Sequence, residues 1–84
     1  MPLPKQPVVS ARELIKLLAK LGYEIERQKG SHVRLRKLFP TGEQHITVPA
    51  KAEIAKGTLN DIINCLSRQN TLSKEEILEM LRGI

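Results

Sequence analysis

The hydrophobic pattern changes its period at Gly22, and this change constrains the fold more than any other feature. In the preceding stretch ARELIKLLAKL, apolar residues recur every three or four positions, which predicts an amphipathic helix. Ser10 and Glu13 have the spacing of a capping box and mark where that helix begins. In the following stretches YEIERQ and HVRLRK, apolar and polar residues alternate, which predicts two β-strands. The chain therefore opens with a helix that leads into a β-hairpin.

The turn of this hairpin is KGS, whose glycine suits a left-handed backbone conformation. We expect a three-residue loop of Lys29, Gly30 and Ser31. This loop sets the register of the two strands, with Gln28 opposite His32, Glu26 opposite Arg34 and Glu24 opposite Arg36. A slip of one residue would bury the charged face, so the alternation favours this register.

A third strand is predicted after the turn FPTGEQ. In its sequence HITVP, Ile46 and Val48 are expected on the buried face, and His45 and Thr47 on the outward face. The three strands then form an antiparallel meander.

Two more helices are predicted after the sheet. Thr58 is expected to be the N-cap of the first, and Ser73 and Glu76 repeat the capping-box spacing at the start of a short last helix. The apolar side of that last helix consists of Ile77, Leu78 and Leu81. If this side is exposed, it offers a dimer contact. The predicted fold class is α+β, in the order α-β-β-β-α plus a short C-terminal helix. The helices are expected to cover one face of the three-stranded antiparallel sheet.

The domain organisation follows from length and proline content. Three of the five prolines lie in the first nine residues, so residues 1–9 are expected to form an extended lead-in. Residues 10–84 are expected to form a single small domain.

The charge balance favours an anionic partner. Fourteen Lys and Arg residues against nine Asp and Glu give a formal net charge of +5, which attracts nucleic acid. Tyr23 and Phe39 are the only aromatic residues, which argues against a sheet that stacks unpaired bases. No segment is long and apolar enough for a membrane span or a signal helix, so we expect no membrane partner. The single Cys65 allows no internal disulfide and is typical of a core thiol in a reducing cytoplasm.

One predicted strand carries a histidine and two arginines on its outward face. His32, Arg34 and Arg36 are spaced two residues apart, roughly 6.6 to 6.8 Å along a strand. RNA supplies its own nucleophile, the 2′-hydroxyl, so its cleavage needs a base, an acid and cations around the phosphate. An imidazole exchanges protons near neutral pH, and guanidinium groups bind phosphate. The pattern therefore suits RNA cleavage, but the same arginines equally suit ion pairs with Glu26 and Glu24 across the hairpin.

Metal or cofactor chemistry has little support in the sequence. The two histidines are thirteen residues apart and have no thiol partner, which is not a zinc-binding pattern. A glycine-rich nucleotide loop is also missing from the sequence. We therefore expect no metal and no cofactor.

The segments GYEIERQKGSHVRLRK, ITVP and GTLNDII follow an amphipathic helix in this order, and together they resemble the HicA family of toxin mRNA interferases. The resemblance extends from about residue 10 to residue 66. Its most specific parts are GSH at residues 30–32, TVP at 47–49 and GTL at 57–59.

This resemblance implies a fold similar to double-stranded-RNA-binding domains and a metal-independent endoribonuclease that cleaves mRNA and inhibits translation. It implies that His32 is the catalytic histidine. It also implies a HicB-type antitoxin that binds the toxin and covers this site, and such a partner is expected to be acidic where it contacts this basic chain. A homo-oligomer, if one forms, is expected only within the antitoxin complex.

Position, charge and the resemblance together indicate which other residues bind RNA. Lys51 stands where many relatives carry a second histidine, and the C-terminal stretch is longer than the family's usual ending by about one helical turn. His45 is a further candidate proton carrier, although the family motif does not include it. The candidate RNA- or phosphate-binding residues are Lys29, Gly30, Ser31, Arg34, Arg36, Lys51, Lys56 and Thr58.

Two alternatives are left open by the sequence. The chain is also suited to be a non-catalytic module that binds structured RNA through its first helix and the KGS hairpin, or a protein-docking module with little salt-dependent RNA affinity. The pattern equally leaves open whether His32 is the base toward the 2′-hydroxyl or the acid toward the leaving 5′-oxygen.

Overall fold

The computed structural model describes residues 8–84 and confirms the predicted fold class. Three antiparallel strands form one sheet in the order β1-β2-β3. The elements are α1 (Ala11–Lys20), β1 (Glu24–Lys29), β2 (His32–Phe39), β3 (Gly42–Pro49), α2 (Lys56–Asn70) and α3 (Lys74–Arg82). Most of the predicted lead-in, residues 1–7, lies outside the described residues; Val8 is exposed and Val9 is buried. No helix among residues 8–84 has the length and apolarity needed to cross a membrane.

Helix α1 begins and ends as predicted. The Ser10 hydroxyl accepts a hydrogen bond from the Glu13 amide at 3.1 Å, and the Glu13 carboxylate accepts one from the Ser10 amide at 3.2 Å. Gly22 has φ +96°, a conformation in which the Tyr23 amide reaches back to the Leu18 carbonyl at 2.9 Å. The chain therefore passes from α1 directly into β1, and the helix packs against the sheet that follows it.

The hairpin register differs from the prediction near the turn. Its loop has two residues, Gly30 and Ser31, because Lys29 is already the last residue of β1. The Cα partners are Lys29–His32, Gln28–Val33, Arg27–Arg34, Ile25–Leu35 and Glu24–Arg36. Of the three predicted pairs, the one at Glu24 is confirmed, and the two nearer the turn are wrong.

A β-bulge at Glu26 explains this mixed outcome. The register shifts between Ile25 and Arg27, so Glu26 is an extra residue on β1. This insertion compensates for the shorter loop and restores the predicted pairing beyond it. The shorter loop is possible because Gly30 has φ +57°, the left-handed conformation that a tight turn requires.

Strand β2 alternates between a covered face and an open face, as predicted. Val33 and Leu35 are buried, whereas His32, Arg34 and Arg36 are exposed. We call the side of the sheet that carries these three residues the open face. The opposite side packs on the helices, and the most deeply buried residues there are Val9, Leu14, Leu17, Leu18, Leu35, Val48, Leu59, Ile63, Leu66 and Ile77.

The third strand confirms its predicted alternation, but the first does not. Ile46 and Val48 are buried, and Thr47 is exposed. Ile25 alternates with charged residues and pairs with the buried Leu35, yet it is 57% exposed. The helices do not cover β1, and all six of its residues are exposed.

Helix α2 begins at Lys56, two residues before the predicted N-cap Thr58. Its N-cap is Ala55, which has an extended backbone and no side chain that bonds to the helix. The predicted cap is therefore wrong, and Thr58 is the third residue of the helix. Ile54 is buried, and its amide donates to the Val9 carbonyl at 2.7 Å, so tertiary anchoring of the preceding loop sets the helix start.

Helix α3 has the predicted cap and docks on the domain. The Ser73 hydroxyl accepts a hydrogen bond from the Glu76 amide at 3.1 Å. Ile77 and Leu81 are buried in the common core, and Leu78 is partly buried against it. This side is therefore not exposed, because α1 and α2 cover it, and the condition for a dimer contact along it is not met.

A polar cluster joins the end of α2 to the sheet. The Tyr23 hydroxyl donates to the Gln69 side-chain carbonyl and accepts a hydrogen bond from the Asn70 amide group at 3.1 Å. The Lys37 ammonium donates to the Asn70 side-chain oxygen at 2.6 Å and lies 4.7 Å from the centre of the Phe39 ring. Burial raises the pKa of the Tyr23 hydroxyl above its ordinary value of 10.0.

The docking of α3 predicts that alanine substitutions at two neighbouring positions lower the free energy of unfolding by different amounts. Ile77→Ala is expected to lower the free energy of unfolding by about 2–5 kcal/mol, since it opens a cavity in the core. Leu78→Ala is the matched control on the same helix and should cost clearly less, because Leu78 is only partly buried. Urea denaturation of both variants measures the difference, and equal small losses would contradict the docking.

The raised pKa of the buried Tyr23 predicts that the protein loses stability at alkaline pH. Tyr23 is the only tyrosine, so ultraviolet absorbance reports its ionisation alone, with a midpoint above 10.0 in the folded protein. Since folding raises this pKa, the associated stability is fully present below pH 10.0 and is lost as the pH rises through the folded value. Tyr23→Phe should lack this alkaline loss, and an identical midpoint in urea-unfolded protein would refute the expectation.

Candidate functional site

His32 occupies an accessible position at one end of the open face. It is the first residue of β2, it is exposed, and its Cα partners are Lys29 on β1 and Pro49 on β3. The Ser31 hydroxyl lies 3.4 Å from the imidazole Nδ1. Directly opposed residues point to the same side of a sheet, so the side chains of Lys29 and His32 both lie at this end of the open face. We call this end, with residues 29–32, the turn end.

Backbone hydrogen bonds bring Lys51 to the same place. The Ala50 amide donates to the Ser31 carbonyl at 2.6 Å, which ties the segment after β3 to the hairpin turn. The Lys51 carbonyl accepts a hydrogen bond from the Ala11 amide at 2.9 Å, which ties it to the start of α1. The hairpin turn, the residues after Pro49 and the first turn of α1 therefore meet at the turn end.

A shallow groove of about 570 Å³ runs beside this junction, between α1 and β1. Its cations are Arg12, Lys16 and Lys51, and its apolar lining includes Ile15 and the exposed Ile25. The groove therefore offers positive charge around an apolar floor, which suits a phosphate backbone or an acidic surface. Sequence reasoning did not identify this groove, because the exposure of Ile25 depends on which parts of the sheet the helices leave uncovered.

The two arginines of the open face are both held by carboxylates. Arg34 Nε lies 3.2 Å from Glu26, which was expected opposite it, and Arg36 Nη1 lies 2.8 Å from Glu43. The expected partner of Arg36 was Glu24, so that ion pair is wrong even though Glu24 is its Cα partner. Both arginine side chains are about half exposed, at 49% and 48%. Their positive charge is thus partly neutralised, while about half of each side chain stays open to solvent.

His45 lies too far along the sheet to work with His32 on one phosphate. Its Cα partner is Arg36, four residues from His32 along β2, which corresponds to roughly 13 Å of strand. An acid and a base that act on one phosphodiester bond must lie within a few ångströms of the same phosphorus. The imidazole of His45 instead faces Glu26, with 3.5 Å between Nε2 and the carboxylate.

The remaining predicted phosphate ligands lie at the start of α2. Lys56 is exposed and is the first residue of that helix, whereas Thr58 is half-buried. Residues 52–55 separate them from Lys51. The fold therefore brings together Lys29, Gly30, Ser31, His32 and Lys51, with Arg34 next along the strand.

One group of side chains has donor atoms suited to a metal ion. A carboxylate oxygen of Glu26, one of Glu43 and a ring nitrogen of His45 all lie within 4.8 Å of one another. Both carboxylates already pair with the guanidinium groups of Arg34 and Arg36. A cation would have to displace these arginines, and its repulsion from them weakens such a site.

A comparison with protein families gives a match that covers more than half of the chain. The family is described as HicA toxin of bacterial toxin-antitoxin, and the match spans residues 11–68. The matched range contains α1, the whole sheet and most of α2. A search of curated proteins gave no significant match.

The left-handed turn at Gly30 predicts which substitutions the turn end tolerates. A Cβ at this position would meet no atom within 4 Å, so the cost of a side chain is backbone strain alone. Gly30→Val is expected to destabilise the protein by about 1–2 kcal/mol, and Gly30→Asn by less, because asparagine adopts this conformation more readily.

The matched control is Gly57→Ala, in α2, where a Cβ would again meet no atom within 4 Å. That substitution should be neutral or stabilising, since the backbone there is helical. Thermal unfolding of the three variants distinguishes the positions. A Gly30→Val protein as stable as Gly57→Ala would contradict the turn geometry.

Proposed function

Because the chain belongs to the HicA toxin family of bacterial toxin–antitoxin systems, we propose that it is an endoribonuclease toxin that cleaves mRNA and thereby inhibits translation. The observation that carries the proposal is an exposed imidazole, His32, held at the turn end of an open sheet face among cations. The reaction needs no activated water, because the RNA provides the nucleophile.

The proposed chemistry is an internal transfer at phosphorus. The 2′-oxygen of a ribose bonds to the adjacent phosphorus, its proton passes to a base, and the bond from phosphorus to the 5′-oxygen breaks. The leaving 5′-oxygen takes up a proton from an acid, and a 2′,3′-cyclic phosphate results. His32 acts as that base or that acid, since an imidazole performs either role near neutral pH.

Cations at the turn end stabilise the phosphate during this step. Lys29 lies opposite His32, and Lys51 is held beside Ser31 by the Ala50 backbone bond. An ammonium group in either place offsets the charge that develops on the phosphate oxygens. The other proposed contacts to RNA are Gly30, Ser31, Arg34, Arg36, Lys56 and Thr58.

Flanking RNA fits the groove between α1 and β1. Arg12, Lys16 and Lys51 line it and would contact successive phosphates without reading sequence. The same groove supports the alternative function, a non-catalytic RNA-binding module, because it requires no histidine. Cleavage is therefore the property that separates the two functions.

Toxin–antitoxin membership implies an antitoxin partner, and we propose one of the HicB type. It would neutralise the toxin by covering His32 and the turn end. A net charge of +5 favours an acidic contacting surface on that partner, and complementary charge would speed their association. We propose that any homo-oligomer of the chain forms within that complex.

Two histidines on one sheet face provide a controlled test of the mechanism. His32→Ala should reduce cleavage of a labelled mRNA fragment by about 10²-fold or more, the usual contribution of a general acid or base. His45→Ala removes the neighbouring histidine and should stay within a few-fold of the unaltered protein. Both are assayed with EDTA present, and circular dichroism checks that each is folded.

Cleavage that persists unchanged in His32→Ala would remove this residue from the mechanism. Salt-dependent RNA binding without cleavage by any form would favour the binding module. Expression in bacteria adds an independent readout, since growth arrest should require His32 but not His45.

A further inference from the structure

The cations of the open face differ in how they are paired. On β1, Lys29 lies opposite His32 and Arg27 lies two residues away, and neither forms an ion pair with any residue in the described range 8–84. On β2, Arg34 and Arg36 are each paired with a carboxylate. The two cations of β1 are thus free, and the two arginines of β2 are engaged.

The two carboxylates come from opposite neighbours of β2. Glu26 is the bulged residue of β1, so it lies outside the regular pairing and reaches both Arg34 and His45. Glu43 lies near the start of β3 and contacts Arg36 at 2.8 Å. The side chains of both glutamates are partly exposed, at 34% and 40%, so RNA phosphate has access to the same arginines.

A phosphate that approaches Arg34 or Arg36 must therefore compete with a carboxylate already in place. A carboxylate and a phosphate both bind guanidinium through oxygen atoms, so the gain from one contact is offset by the loss of the other. No such competition exists for Lys29 and Arg27. The pairing therefore favours phosphate at these two cations, of which Lys29 lies opposite His32, over phosphate at Arg34 and Arg36.

We propose that Glu26 and Glu43 are specificity-determining residues, which hold Arg34 and Arg36 and so direct RNA phosphate first to Lys29 and Arg27, beside His32. This rests on the proposed function only in taking RNA as the binding partner. The two glutamates position the RNA and do not touch the reacting atoms. Without them, RNA would gain additional phosphate contacts along the face and would bind in registers that leave no phosphate at His32.

The test measures RNA affinity as a function of salt. The probe is a fluorescent single-stranded RNA with 2′-O-methyl groups, which has no 2′-hydroxyl and stays intact whether or not the protein is a nuclease. Each phosphate contact to a single strand contributes about 0.7 to the slope of log affinity against log salt. Glu43→Gln frees Arg36, so it should bind more tightly and steepen the slope by about 0.7.

The matched control is Glu79→Gln on α3. Glu79 also pairs with an arginine, Arg82 at 2.9 Å, and its substitution changes the net charge equally. This variant should leave the slope of the unaltered protein unchanged. Adding Arg36→Gln to Glu43→Gln should remove the increase in slope, because the freed guanidinium group is then absent.

Each contrary outcome overturns the proposal. If Glu43→Gln and Glu79→Gln bind alike, net charge alone sets affinity; if Glu43→Gln binds more weakly, the carboxylate orients Arg36 for phosphate. Absence of RNA binding by every form at low salt would also overturn it. Failure of the nuclease function appears separately, as cleavage that does not depend on His32.

Glu26→Gln provides a second variant, on the other neighbouring strand. It should likewise steepen the slope, because it frees Arg34. If the protein cleaves RNA, both glutamate variants should lower KM without raising kcat, since the added contacts do not place phosphate at His32. A rise in kcat with unchanged KM would contradict a positioning role.

Discussion

The left-handed turn at Gly30 is the constraint on which the candidate site depends. It closes the hairpin with two residues and thereby sets Lys29 directly across from His32. One more loop residue would shift this end of β1 and place Gln28 there instead. The identity of the side chain beside the imidazole is therefore decided by a backbone angle that glycine adopts without strain.

The predicted elements were confirmed where a local signal and the tertiary structure act in the same direction. Ser10 and Ser73 cap their helices, and His32, Arg34 and Arg36 share the open face, because capping and alternation are local properties of the chain. Such signals required no knowledge of what packs against each element. They were sufficient for the fold class.

The errors arose where distant contacts decided the outcome. Helix α2 begins at Lys56 rather than after Thr58, because a buried Ile54 anchors the loop before it. The bulge at Glu26 could not be predicted, since it compensates for a turn whose length depends on a single residue. The pairing of Arg36 with Glu43 rather than Glu24 also followed from side-chain reach across strands, which alternation does not specify.

The bulge has a further consequence for β1 as an edge strand. A regular edge presents an unbroken row of amide and carbonyl groups, to which strands of other molecules add readily. The extra residue at position 26 interrupts that row and increases the local twist, and Glu24, Glu26 and Arg27 on this strand are charged. The uncovered border of the sheet is thereby a poor template for aggregation, although no helix shields it.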